Sequence, residues 1–454
     1  MPLSIIILAA GQGTRMRSSL PKVLQPLAGR PLLAHVVSTA HEIGADDVCV
    51  VYGHGGEAVP ATIGDDSLRW ALQAEQLGTG HAVQQAMPET PDDNQVLILF
   101  GDVPLLTGGT LRRLLEDTGQ DELAVLSVDL DDPTGYGRIL REGDSVIGIV
   151  EQKDADEDQQ AIQEINTGVM LCPAARLRTW LDNLGNDNAQ GEYYLTDVVA
   201  MAVAGGVAVR GIKADNWTEV MGINDKKQLA EAERAHQARL VDELMAAGVG
   251  FADPARVDIR GNLECGQDVF IDINAVFEGD VYLGDGVTVE SNNLVRDSRI
   301  GAGTVLHPNC HIEGATTGQN CEIGPFARMR PGAELANNVK LGNFVEVKKS
   351  TIADGSKVNH LTYIGDAEIG TGVNVGAGTI TCNYDGANKY KTTIGNDVFI
   401  GSAVNLVAPV NIGAGATIGA GSTITKPVPE GELTLERSKQ VTIKGWKKPV
   451  KKET

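Results

Sequence analysis

Residues 394–424 read IGNDVF-IGSAVN-LVAPVN-IGAGAT-IGAGST-I. Ile394, Ile400, Leu406, Ile412, Ile418 and Ile424 recur every six residues, and Gly, Ala, Asn and Thr fill most of the gaps. Six is neither the period of an α-helix nor the two-residue alternation of a flat strand. It is the period of a coil of three short strands, in which each side turns one aliphatic side chain inward per pass. Stacked coils bury that aliphatic ladder, and small residues permit sharp corners. The period recurs upstream at Ile323, Met329, Leu335, Leu341 and Val347, and at Ile259, Cys265, Ile271, Phe277, Leu283, Val289 and Val295. Its phase slips where a step shortens, as from Val295 to Ile300. Nearly everything from about residue 250 to Lys426 therefore reads as a parallel β-helix. A Gly-rich β-sandwich would alternate by two and has no such register.

A chain of 454 residues is too long for one ordinary core, so two or three domains are expected. Its net charge of −22 argues against nucleic acid or an anionic membrane surface as partner. Any phosphate-bearing ligand then needs locally placed Lys or Arg, or a metal ion. Cys49, Cys172, Cys265, Cys310, Cys321 and Cys382 are scattered without a CxxC pair, which points to a reducing cytoplasm and no disulfide framework. His307, Cys310, His311 and Cys321 raise a metal question, although their spacing matches no standard zinc finger; inward and corner positions of the coil are the alternative. The apolar start, Leu3 to Ala10, lacks a basic front and runs into a Gly-rich loop, so it does not read as a signal peptide. No stretch is long and apolar enough to insert in a membrane.

The first half alternates. Leu3 to Ala9 reads as a buried parallel strand, Pro31 to Ile43 as a helix, Asp47 to Tyr52 and Leu68 to Gln73 as strands. Gly80 to Met87 is helical, Val96 to Phe100 a buried strand, and Thr107 to Asp117 a helix capped by Thr107. This is the pattern of an α/β doubly wound, Rossmann-like domain with a mainly parallel sheet, whose ligands sit beyond the carboxyl ends of strands. Asp225 to Ala247 then reads as one long helix stopped by Gly248, a natural connector. The predicted divisions are 1–226, a linker helix over 227–247, and 248–454. Within the last part, Asn383 to Lys389 is too long for a corner and reads as a functional insertion. After Val428 comes an irregular basic tail with Arg437, Lys439, Lys444, Lys447, Lys448, Lys451 and Lys452. It is either a solvated end or an arm that meets phosphates.

The loop Leu8-Ala9-Ala10-Gly11-Gln12-Gly13-Thr14-Arg15-Met16, followed by Pro21-Lys22, leaves a buried strand with backbone N–H groups free to face phosphate oxygens. It is neither Gly-x-Gly-x-x-Gly nor a P-loop. This string resembles the sugar-nucleotide pyrophosphorylases. The resemblance extends to Gln73–Thr79, to Phe100-Gly101-Asp102, to Tyr136-Gly137-Arg138, to Glu151, to Glu164–Gly168 and to Asn224. It implies a site for the sugar nucleotide built from Leu8, Ala9, Ala10, Gly11, Lys22, Gln73, Gly78, Thr79, Phe100, Gly101, Asp102, Gly137, Glu151, Asn166 and Asn224. It also implies Mg²⁺ on Asp102 and Asn224, with Arg15 and Lys22 placing charge at the reacting phosphates.

The second half resembles the hexapeptide acyltransferases, which implies that the β-helix is left-handed. The strings are Gly324–Gly332, Gly342–Lys349, His360–Asp366 and Asn374–Thr379 through Asn383–Gly386. With the first half, they are similar over essentially the whole chain to the bacterial bifunctional N-acetylglucosamine-1-phosphate uridylyltransferase/glucosamine-1-phosphate acetyltransferases. On its own, a histidine in a solenoid is usually a corner or surface residue. The resemblance implies His360 as base, oriented by Glu346. Arg330, Lys348, Tyr363 and Asn374 would hold the acceptor sugar phosphate, and Ala377, Asn383, Tyr384, Ser402, Ala420 and Arg437 would meet acetyl-CoA. The implied substrates are glucosamine 1-phosphate, acetyl-CoA, UTP and N-acetylglucosamine 1-phosphate, the implied assembly a homotrimer. A monofunctional pyrophosphorylase with a structural β-helix is the competing expectation.

Overall fold

The computed structural model describes residues 2–449 and Lys451; Lys452 of the basic tail lies outside them. The chain divides into two compact units, the first ending at His236 and the second starting at Gln237.

In the first unit the apolar runs become strands β1 (Leu3–Leu8), β2 (Asp47–Tyr52), β3 (Arg69–Leu72) and β4 (Gln95–Phe100), paired in parallel. Strand β1 is apolar throughout because it is covered on both faces. Ile5 and Ile7 enter one apolar layer with Leu33, Val36, Leu111 and Leu114, from helices Leu32–Glu42 and Gly108–Glu116. Ile6 and Leu8 enter the other with Ala82, Val83, Val198 and Val199, from helices Thr79–Ala86 and Asp197–Ala204. Thr107 Oγ1 accepts from Thr110 N at 3.2 Å and caps its helix as the sequence predicts. Five further strands complete the sheet: β5 (Leu123–Asp129), β6 (Arg138–Glu142), β7 (Ser145–Val150), β8 (Glu164–Pro173) and β9 (Val209–Lys213). The order is β9-β5-β8-β4-β1-β2-β3, and the β6–β7 hairpin joins through β8. Because β8 runs antiparallel to both β4 and β5, the sheet is mixed rather than uniformly parallel.

The long helix spans Lys226–Ala246. Asp225 Oδ1 accepts from the backbone N–H of Lys227 and of Gln228 at its start, and Gly248 follows its end at φ +101°. The division between the units falls inside this helix. On the near side, Ala232 packs with Met16, Leu27, Leu32 and Ile223. On the far side, Val241 joins the β-helix core, and Gln237 clasps both backbone groups of Ile259 at 2.8 Å.

The second unit is a parallel β-helix. Ile394, Ile400, Leu406, Ile412, Ile418 and Ile424 are all buried in one continuous core with Ile323, Met329, Leu341 and Val347. Residues on successive coils mostly pair 17 or 18 positions apart, as in Val347↔Ile364 and Ile400↔Ile418, with 16 at the last coil, as in Ile418↔Thr434. Val375↔Ile400 is wider because the insertion lies between them. Small buried polar side chains stitch one coil to the next. Cys310 N donates to Asn293 Oδ1 at 2.8 Å, Ala315 N to Ser298 Oγ at 3.1 Å, and Val373 N to Ser356 Oγ at 2.9 Å. Of His307, Cys310, His311 and Cys321, the two cysteines take inward positions of the coil. Both thiols belong to the core, Cys310 Sγ facing His307 O at 3.2 Å and Cys321 Sγ facing Ala336 O at 3.1 Å. Among the described residues no group of three or more His, Cys, Asp or Glu is placed to hold a metal ion.

One corner column is built from residues at positive φ. Asn274, Asn292 and Asn309 take it at positive φ, as asparagine does readily. Phe326, Phe344 and Leu361 continue it at φ 57°, 55° and 47°, with side chains 49%, 55% and 64% exposed. The two phenyl rings stack with centroids 5.2 Å apart.

Candidate active sites

Strands β1 and β4 lie side by side with Leu8 in register with Phe100, so the loops that follow them leave the sheet together. Gly101 N donates to Leu8 O at 2.9 Å, and His54 N to Ala10 O at 3.3 Å, fixing the first loop against its neighbours. Beyond the strand ends opens a cavity of about 500 Å³. It is lined by Leu8, Ala9, Ala10, Gly11, Lys22, Gln73, Gly78, Thr79, Phe100 and Asp102 from the expected set. Glu192 also lines it, a residue with no motif to signal it. Gly13, at φ +60°, leaves the space that the Lys22 stem crosses.

Lys22 Nζ contacts Asp102 Oδ2 and lies 3.1 Å from Asn224 Oδ1. The Asn224 amide is oriented, since its Nδ2 donates to Gly222 O at 3.3 Å and leaves Oδ1 toward the ammonium. One carboxylate and one amide oxygen thus face a single cation. This hard, all-oxygen donor set fits a divalent ion that completes its shell with phosphate and water oxygens. Arg15 is exposed on the short turn Thr14–Met16. Its charge reaches the Tyr136 phenol, which burial pushes above the ordinary tyrosine value, with Asp102 adding to the effect and Arg15 opposing it. Arg15, Asp102 and Tyr136 therefore share one neighbourhood.

Gly137, Glu151 and Asn166 do not line the cavity but meet one another. Asn166 N donates to Gly137 O at 2.8 Å, and a Cβ on Gly137 would stand 3.4 Å from Glu151 Oε2. Gly168 of the same segment, at φ +89°, leaves room for the Phe100 ring, which a Cβ would overlap. Fully buried Arg138 braces this side, donating to Tyr136 O and, at 2.8 Å, to Gln152 Oε1. Burial pushes the Glu151 carboxyl above the ordinary glutamate value, and Asp154 and Asp197 add to it against a 3.1 Å hydrogen bond from Thr196 Oγ1.

The second constellation follows from coil register. On one outward column, Arg260 pairs with Glu278, Glu278 with Arg296, and Arg296 with Glu313, so charges alternate. The same position on the next coils gives Arg330 and then Lys348, and the alternation breaks into two adjacent cations. Lys389, delivered by the insertion, joins them. It is the main cause that pushes the Lys348 ammonium below the ordinary lysine value, with Arg330 and Lys349 contributing. Sequence motifs did not assign Lys389; it becomes legible only once Tyr384 bridges Lys389 and folds the insertion into a hairpin. Asn383 is buried and donates to Asp366, and Tyr384 is exposed. Tyr363, in register with Glu346, lies across Gly365, whose missing side chain is its seat.

Glu346 and His360 take different hydrogen-bond partners. Glu346 Oε1 accepts from Arg330 Nη1 at 2.8 Å, whereas His360 Nδ1 lies 2.8 Å from Asn343 Oδ1. Strand pairing places Ala377, Ser402 and Ala420 in one corner column above His360, amid Gly376, Gly378, Gly401, Gly419 and Gly421. Side chains are small along this whole track. At its top Arg437 passes over Gly421, its Cδ 3.8 Å from where a Cβ would stand. Asn374 lies on the neighbouring face, in register with Lys357, and not beside the cations.

Residues 5–189 match the family model of the MobA-like NTP transferase domain, and residues 391–426 match that of the bacterial transferase hexapeptide (six repeats). Over 452 residues the chain is 59% identical to the "Bifunctional protein GlmU" of Aromatoleum aromaticum, covering 99% of both chains. It is 56% identical over 449 residues to that of Herminiimonas arsenicoxydans, again covering 99% of both. It is 57% identical over 450 residues to that of an Azoarcus species, covering 99% of this chain and 100% of the other.

The Glu151 environment yields a stability test. A carboxyl whose folded value lies above its unfolded one favours folding below that range, and its ionised form disfavours folding above it. Glu151→Gln is therefore expected to raise the unfolding temperature at neutral pH and to raise it less near about pH 5. Thermal melts at both values check this; an equal gain at each would mean that burial of the charge is not the cause.

Proposed function

The chain belongs to the GlmU family of bifunctional proteins, and on that footing we propose how its two sites divide the work. It is a bifunctional transferase that joins an acetyltransferase to a uridylyltransferase. The observation that carries our assignment of acetyl transfer to the second unit is the cation group of Arg330, Lys348 and Lys389, one corner away from His360, in a chain of net charge −22.

Glucosamine 1-phosphate would dock its phosphate on those cations, with Tyr363 and Asn374 as further contacts. Its 2-ammonium group first loses a proton to water. The free amine then attacks the thioester carbon of acetyl-CoA while His360 takes a second proton from the nitrogen. A C–N bond forms, the C–S bond breaks, and the proton passes on to the leaving thiolate. The small-residue track of Ala377, Ser402 and Ala420 lets a pantetheine arm lie close to the backbone, with Asn383, Tyr384 and Arg437 as its flanking contacts.

The product, N-acetylglucosamine 1-phosphate, is the acceptor for the first unit. Its phosphate oxygen attacks the α-phosphorus of UTP, a new P–O bond forms, and pyrophosphate leaves. No covalent enzyme intermediate is needed, so the residues orient and neutralise. Gln73, Gly78 and Thr79 would bind on the uridine side, the backbone of Leu8 to Gly11 along the phosphates, and Gly137, Glu151 and Asn166 on the sugar. Mg²⁺ held by Asp102 and Asn224 would supply charge neutralisation at the phosphate oxygens. Lys22 and Arg15 would add fixed positive charge there.

We further propose a homotrimer. The cations and Asn374 lie on different faces of the β-helix, and the exposed corner of Phe326, Phe344 and Leu361 stands between those faces. A neighbouring copy would cover that corner and bring one face against the other. The six cysteines are all unpaired, which supports a reducing cytoplasm; among the described residues no helix is long and apolar enough to cross a membrane.

Paired assays test the division of labour. His360→Ala should abolish thiol release from acetyl-CoA with glucosamine 1-phosphate and leave pyrophosphate release from UTP with N-acetylglucosamine 1-phosphate intact; a wild type that never releases thiol would make the β-helix a scaffold. Gly365→Ala, which evicts the Tyr363 ring, should raise the KM for glucosamine 1-phosphate about tenfold with a smaller change in kcat. An unchanged KM would remove the ring from the acceptor site. Truncation from Arg437 onward should likewise abolish acetyl transfer alone, and equal loss of both activities would contradict a role for the tail over coenzyme A.

A further inference from the structure

We propose that Asn343 is the positioning residue of the acetyl-transfer site, fixing which nitrogen of His360 carries the proton. The inference rests on the reading of His360 as the base. Asn343 and His360 are register partners on successive coils, and Asn343 Oδ1 lies 2.8 Å from His360 Nδ1. An amide oxygen only accepts, so Nδ1 carries the hydrogen and Nε2 presents its lone pair. Nε2 is the atom that can then take a proton from the attacking amine. Backbone pairing sets the geometry, since Leu361 N donates to Asn343 O at 3.0 Å. The carboxylate that the sequence suggested for this task, Glu346, is held by Arg330 on the adjoining face.

A neutral orienter has a chemical consequence. A carboxylate at this place would favour the imidazolium and withdraw the base near neutral pH, whereas an amide orients the ring and adds no charge. Few charged side chains lie on the neighbouring strands. Strand Lys340–Asn343 below His360 and its own strand Lys357–His360 carry one charge each, Lys340 and Lys357, at the ends remote from the pair. Strand Asn374–Val375 above carries none. Corner neighbours Phe344, Leu361 and Ala377 are uncharged, and the titratable groups of the adjoining face are Glu346, Lys348 and Tyr363.

The test compares Asn343→Asp, Asn343→Ala and His360→Ala in the full-length protein, following thiol release from acetyl-CoA with glucosamine 1-phosphate across pH and pyrophosphate release as the control for folding. Asn343→Asp should move the acidic limb of the acetyl-transfer profile up by about one pH unit or more. Asn343→Ala should lower kcat about tenfold to a hundredfold with both KM values nearly unchanged. Pyrophosphate release should persist in each. An unshifted limb in the first variant, together with a wild-type kcat in the second, would overturn the proposal. Acetyl transfer surviving in His360→Ala would instead overturn the reading of the base on which it rests.

Discussion

The backbone ladder between successive coils is the constraint on which the second unit depends. Each strand pairs in parallel with the one beneath it, about 4.8 Å away, and the pairing leaves no freedom to slide, since a one-residue slip would turn the aliphatic ladder outward. Side chains therefore stand in columns, and each column can be given a task. The inward columns are aliphatic and supply the core. One outward column alternates in sign from Arg260 to Glu313, which relieves repulsion between neighbours at that spacing. Two coils later the same column places like charges together, and the insertion adds a third. Glu346 pairs with Arg330 there, and Lys348 and Lys389 are left as adjacent like charges.

The first unit solves the same problem by different means. Its ligand cavity lies where two adjacent strands end and their loops part, beside a strand order that reverses around β1. In the proposed reading, backbone amides, two glycines and one bridging lysine would do there what a cluster of cations would do on the β-helix. Both solutions concentrate positive charge locally against a strongly acidic background. A net charge of −22 gives phosphates no long-range attraction, so the proposed recognition would rest on short-range contacts.

The six-residue period made the β-helix legible, because burial of one side in each pass leaves a mark that survives without any knowledge of coil length. The four parallel strands β1 to β4 were legible as short apolar runs, whereas β5 to β9 were not read, and the resemblance linked Lys22, Asp102 and Asn224 across two hundred positions. What the chain concealed were relations between coils. Asn343 lies under His360 because one step in that coil is shortened, and a six-residue ruler misses a pairing at 17. Lys389 sits off the repeat entirely, and only the fold of the insertion brings it to Lys348. Gly365 carries no chemistry of its own, so its part as a seat for Tyr363 shows only in three dimensions. The antiparallel course of β8 was equally hidden, since a strand buried on both faces reads the same in either direction.

The helix Lys226–Ala246 belongs to two cores at once. Its first turns supply Ala232 to one, and its later turns supply Val241 and the clasp of Gln237 to the other. No cut within it is neutral, because each half of a divided gene would inherit a stub and a hole. A cell or an engineer wishing to separate the two enzymes would have to copy this segment into both.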